Sequence, residues 1–267
     1  MTTTDLTFDE RTVDDLVIVD EKSFRHVAIY EDLKKTLQNA HYTFRVMPQT
    51  SAARWDRALL LNLTFWGASS GGDVLVDDQL PADVVAHAAW HHLSARAFAN
   101  PDGSPLSAEA LFLGEAIASA FDVYLVGRLL GYAPDSSFLE TQVAAMADAA
   151  NAAGATEDDF EALLQSIAKD PERAFEELRQ LLFDASTALM SCADATAAMN
   201  VMERMDAHRF GSLLHHYELS TWVLYARAYA SHALGRDERV RAVDDELRNA
   251  KDSVEWLRAR WLEPPIR

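Results

Sequence analysis

Pro81-Ala82-Asp83-Val84-Val85-Ala86-His87-Ala88-Ala89-Trp90-His91-His92-Leu93 is the stretch on which the reading of this chain turns. Proline suits a first helical turn, and the apolar residues that follow carry the pattern on to Ala97, so the spacing predicts a helix. On it, His87 and His91 stand four residues apart and therefore lie one above the other on a single face. Two imidazole nitrogens so placed can reach one ion at about 2.0–2.1 Å each, which makes His87 and His91 candidate metal ligands. The ordinary alternative is a pair of helix histidines, one buried and one at the rim.

A turn-rich stretch, Asn100-Pro101-Asp102-Gly103-Ser104-Pro105, ends that helix. The next begins at the N-cap candidate Ser107 and runs to Gly131, a residue suited to the left-handed position after a helix. Its face is apolar except where Glu115 interrupts it. An unpaired carboxylate there would be costly, so Glu115 is the candidate third ligand, with pairing to Arg96 or Arg128 as the plain alternative. Asp122, two turns on, is placed to accept a hydrogen bond from a ligand imidazole.

This arrangement resembles the gluzincin group of zinc metallopeptidases, in which an H-E-x-x-H helix is followed by a second helix donating a glutamate. The resemblance covers roughly residues 31–130. It implies a zincin-like fold, Zn²⁺ held by His87, His91 and Glu115 with water at the fourth position, and a substrate-aligning edge strand over Asp73 to Asp77. It also implies a peptide or small-molecule ligand in the metal cleft. The chain departs from the family at Ala88, where those enzymes carry the glutamate that moves the proton. His92 and Tyr217 are the candidates for supplying a proton-handling group, and His208 or His215 could also fold back over the site. Three functional readings follow: a hydrolase of peptide-like bonds with an altered base, a catalytically inactive zincin-like binding protein, or a non-peptidase metalloenzyme using Fe²⁺ on two histidines and one carboxylate.

Before the histidine helix, residues 1–20 read as a flexible polar tail followed by a short apolar run, Leu16 to Val19, that is either a strand or a staple onto the body. A helix follows from Ser23 to about Asn39, then strands at Tyr42 to Met47, Ala58 to Phe65 and Val74 to Val76, with a turn at Gly71-Gly72. After Gly131 the sequence predicts helices from about Ser136 to Ala153, Thr156 to Lys169, Pro171 to Cys192, Asp194 to Asp206, His208 to Leu234 and Asp237 to Leu262. Gly235 separates the last two and Pro264-Pro265 is the stop signal for the second of them. The fold class is α+β. A zincin-like part over 21–132, a small sheet with the site helix, is followed by a mostly helical part over 133–267 packed on it as one domain.

The 267 residues are 49% hydrophobic, enough for a large core. Forty-two acidic residues against 24 basic ones give a formal charge of -18, which opposes nucleic acid and anionic membrane surfaces as partners. The single cysteine, Cys192, cannot form an internal disulfide and reads as a small packed side chain. With no apolar leader in the opening residues, the chain reads as cytoplasmic. The tryptophans Trp55, Trp66, Trp90, Trp222, Trp256 and Trp261 read as core. A second polar cluster, Glu203, Asp206, His208, His215, His216 and Glu218, lacks the repeated Glu-x-x-His of a di-iron bundle and reads as solvated helix faces.

Overall fold

The computed structural model describes residues 8–48, 73–230 and 236–262. The expected strand at Ala58 to Phe65, the Gly71-Gly72 turn, Trp55, Trp66, Gly235 and Pro264-Pro265 lie outside them.

The chain opens with β1 (Asp9–Thr12) and β2 (Val17–Val19), followed by α1 (Glu21–Phe24) and α2 (Ala28–Asn39). Next come β3 (Thr43–Val46), β4 (Val74–Leu75) and β5 (Gln79–Pro81). Among the described residues, β1-β3-β4 form one sheet, antiparallel between β1 and β3 and parallel between β3 and β4. β2 and β5 pair in parallel. The expectation of a tail is corrected at residues 9–12, which form a strand, whereas the apolar run Leu16 to Val19 contains β2, one of the two forms expected of it. The polar composition of residues 9–12 is compatible with this because β1 contributes backbone pairing at an edge while its side chains stay largely exposed. The expected helix from Ser23 is likewise interrupted, at Arg25 to Val27, with Val27 in extended backbone before α2.

Helices then dominate: α3 (Ala82–Ala97), α4 (Ala108–Leu129), α5 (Ser137–Ala152), α6 (Glu157–Lys169), α7 (Pro171–Met190) and α8 (Ala195–Met205). The local end signals hold. Ser107, Thr156 and Asp194 each accept a backbone N–H of the first turn, Thr156 and Asp159 forming a capping box. Gly131 takes φ +82 just past α4. The fold is thus α+β with a mostly helical C-terminal half.

At the centre is α4, buried on almost every side and packed against α3 and α7. It is long and apolar enough to cross a membrane, but 89% of its most apolar window is buried inside the protein, so its apolar surface is spent on the core.

Two expected long helices are broken, for readable reasons. Between α8 and α9 (Leu219–Tyr229) runs a 3₁₀ segment, Gly211–Tyr217, ended by Glu218 in left-handed backbone (φ 47). Its buried positions are Leu213, Leu214 and Tyr217, whereas those of α9 are Leu219, Trp222, Val223 and Ala226. No single helical stripe joins the two sets, and the break shifts the phase. Near the end, α10 (Glu238–Asn249) stops before α11 (Ser253–Leu257), whose N-cap Asp252 accepts from Glu255 N.

Arg179 of α7 is completely buried and bridges Asp244 of α10 at 2.8 Å and Glu176 at 2.6 Å, while Asp244 also takes Arg248 at 2.9 Å. Cys192 is half-buried, its thiol donating to the Ala188 carbonyl. Asp20 ties the N-terminal part to α5: its carboxylate accepts from the Ser136 hydroxyl at 2.6 Å and from Phe138 N at 3.4 Å. Burial opposes its charge, but these bonds and one from Ser23 outweigh it and hold its pKa below the usual carboxylate value.

Two outcomes follow for stability. Removing the guanidinium in Arg179→Met leaves the buried Asp244 with Arg248 as its remaining ion-pair partner and costs about 3 kcal/mol, and Arg179→Met/Asp244→Leu recovers part of that loss in urea unfolding. Asp20→Asn costs about 1 kcal/mol at neutral pH. Because the native pKa is depressed, that contribution is present above the unfolded-state value and vanishes as pH falls through the native pKa, where wild type and variant converge.

Candidate metal centre

Helix α3 delivers His87 and His91 on one face, with ring centroids 4.9 Å apart. Helix α4 brings Glu115 against both: its Oε2 lies 3.2 Å from His91 Nε2 and its Oε1 3.9 Å from His87 Nε2. The close approach depends on Gly114. A Cβ there would stand 2.6 Å from the Ser94 Oγ and 3.2 Å from its Cβ, so any larger residue obliges Ser94 to turn and α3 to give way.

One donor atom from each of His87, His91 and Glu115 lies within 4.8 Å of the others. Two bonds of about 2.0–2.1 Å at a tetrahedral angle separate donors by about 3.4 Å, so small side-chain adjustments bring the three onto one ion. The fit has a second sign. Glu115 is 7% exposed and its Oε2, 3.2 Å from His91 Nε2, makes no well-aligned hydrogen bond, the condition of an oxygen that a cation would satisfy. Its other oxygen accepts from Ser119 at 3.3 Å. Arg128 is engaged with Glu172.

Asp122 sits 3.0 Å from His87 Nδ1, where a carboxylate fixes the tautomer that leaves Nε2 for a ligand role. Burial opposes charge on His87, yet Asp122, Glu115 and Asp73 outweigh it and push its pKa up to about 9. Burial would likewise raise the Glu115 carboxyl, but His91 and His87 hold it below its ordinary value. Asp83, one turn before His87 and half-buried, is pushed up to about 6 by burial and by the Asp122 charge.

The other sequence candidates separate. His92 is buried beside Tyr42, their rings edge-to-face at 5.6 Å. Tyr217 is 8% exposed, its hydroxyl has no hydrogen-bond partner among the described residues, and the Asp122 charge acts on it. The same charge reaches His216, which contacts Gln142 at 3.3 Å. His208 is elsewhere, beside Glu177 and Arg209, and His215 lines an open groove with Asp194, Glu203 and Glu218. Ala88 is fully buried in the core.

Sequence reasoning missed Asp73 as a site residue. It is 3% exposed, accepts from the Tyr42 hydroxyl at 2.6 Å, and its charge is coupled to His91, His87 and Glu115. Burial pushes its pKa up against the opposing pull of Tyr42 and the two imidazoles. Nothing in the local pattern marks it, since the separation of 31 positions from Tyr42 is closed only by the fold.

No family model, curated protein or solved structure matches this chain.

Gly114→Val forces α3 and α4 apart and costs about 1–3 kcal/mol in thermal or urea unfolding. A neutral result would show that the helix spacing does not depend on the missing side chain.

Proposed function

We propose that this protein binds one divalent cation, Zn²⁺ in the first instance, through His87, His91 and Glu115, and that it is a zincin-like hydrolase of peptide-like bonds. The observation that carries the reading is the convergence of two imidazoles, one turn apart, on a buried carboxylate from the next helix. Nitrogen and oxygen donors of this kind suit zinc. When bound, the ion would act as a Lewis acid and lower the pKa of a coordinated water toward about 7.

The chain's own groups have the remaining roles. Asp122 holds the His87 ring through Nδ1, and Ser119 holds Glu115. Tyr217, with its unbonded buried hydroxyl, is a donor available to the oxygen that gains charge as a carbonyl is attacked. His92 is occupied by packing against Tyr42 and stands adjacent to a ligand without being one in this reading.

The tag-free protein is expected to take up one Zn²⁺ per chain in competition with a chromogenic chelator. His91→Ala and Glu115→Ala should abolish this uptake, and Asp122→Asn should weaken it about 10–100-fold. Zinc loading with cleavage of a general peptide library supports the hydrolase. Zinc binding or peptide binding without turnover points to the inactive binding protein, and iron with oxygen uptake to a non-peptidase enzyme. A wild-type chain that takes up none of these metals ends the metal reading.

A further inference from the structure

Position 88 holds a methyl group with no exposed surface, packed into the core, so no proton can be handled there. A proton acceptor for the site has to come from another element. Asp122 is a poor choice, because it binds His87 at Nδ1, the side of the ring remote from Nε2. Tyr217 and Ser119 carry hydroxyls, which are weak bases.

Asp73 answers the requirement on four counts. Its carboxylate is 3% exposed, so it is kept from bulk water. Its backbone is fixed by the sheet, the carbonyl accepting from Arg45 N at 2.7 Å immediately before β4. One carboxylate oxygen, Oδ2, is anchored by the Tyr42 hydroxyl at 2.6 Å, and the Tyr42 ring rests edge-on against His92, the neighbour of His91 in the chain. The other, Oδ1, is buried and receives no hydrogen bond among the described residues. A buried carboxylate oxygen left without a donor is costly, and because the charge of Asp73 is coupled to His91, His87 and Glu115, a donor bound at that cluster would answer it.

We infer that Asp73 Oδ1 accepts a hydrogen bond from a water at the coordination position left open by His87, His91 and Glu115, and is the proton acceptor that residue 88 cannot be. This rests on the metal reading above. In the hydrolysis, the water oxygen bonds to the carbonyl carbon, its proton passes to Asp73, and the C–N bond breaks. Asp73 returns the proton to the departing amine, so one water is consumed per bond and the carboxylate is regenerated.

The test uses Co²⁺ as an absorbing probe in the full chain, comparing wild type with Asp73→Asn and Asp73→Ala. Both neutral variants are expected to bind one Co²⁺ with affinity within about threefold of wild type. In both, the pH midpoint of the Co²⁺ absorption change is expected to fall by about one unit, because an anion beside a coordinated water opposes its ionisation. A midpoint that stays in place in the variants overturns the inference. So does an affinity loss greater than about tenfold, which would make Asp73 a fourth ligand. Failure of the metal reading itself is seen separately, as absence of Co²⁺ binding by the wild type, and removes this inference with it.

Discussion

A carboxylate on the most deeply buried helix has to be balanced by positive charge, and the rest of this structure is arranged around that requirement. Glu115 lies in the middle of α4, where nearly every other side chain is apolar and enclosed. Stranded there, it would shift toward its neutral form or destabilise the fold. Instead His87 and His91 stand against it, and their charges keep it ionised. This sets the spacing of α3 and α4, which in turn requires a residue without a side chain at 114 and a small one at 94. The packing of the two central helices and the composition of the site are one constraint.

The second half of the chain is tied to the same centre. Asp20, from the N-terminal part, caps α5 from outside, while the 3₁₀ segment that carries His216 and Tyr217 packs on α5 and comes within electrostatic reach of Asp122. The break at Glu218 makes this possible: a continuous helix through 217 and 219 would turn one of the two buried faces to solvent. On the far side, the buried Arg179 joins α7 to α10 through Asp244. The helical half therefore covers α4 and brings His216 and Tyr217 within reach of the Asp122 charge.

What was legible in the sequence is what local chemistry writes. Ser107, Thr156, Asp194 and Gly131 announced helix ends because a cap is satisfied within three or four residues. The His87, His91, Glu115 set was legible for a similar reason, since four-residue spacing and a lone charge on an apolar face are local patterns. Residues 9–12 were not, because an exposed edge strand is defined by its partner, here Thr43–Val46 for β1, and its own side chains carry no alternation to read. The broken helices at Glu218 and Asp252 escaped because the phase shift of the buried stripe is visible only once the core side is known. Asp73 escaped for the same cause at longer range, its neighbours being assembled from β3, α3 and α4.

The charges of the cluster support a cation as its natural occupant. Glu115, Asp122 and Asp73 place carboxylates around two imidazoles in an enclosed space, so with both rings neutral and all three acids ionised the group would carry three negative charges. Without an ion the imbalance is relieved by protons: His87 is driven to hold one more tightly, and Asp73 moves toward its neutral form. A divalent ion at the Nε2 atoms would relieve it differently. It would take the place of the His87 proton on that nitrogen, leave Nδ1–H to donate to Asp122, and let Asp73 stand ionised with an oxygen free to accept a hydrogen bond. An ion would thus answer the charge imbalance that protons relieve only in part, and on the proposed reading Asp73 and Asp122 would act with the three residues nearest its centre.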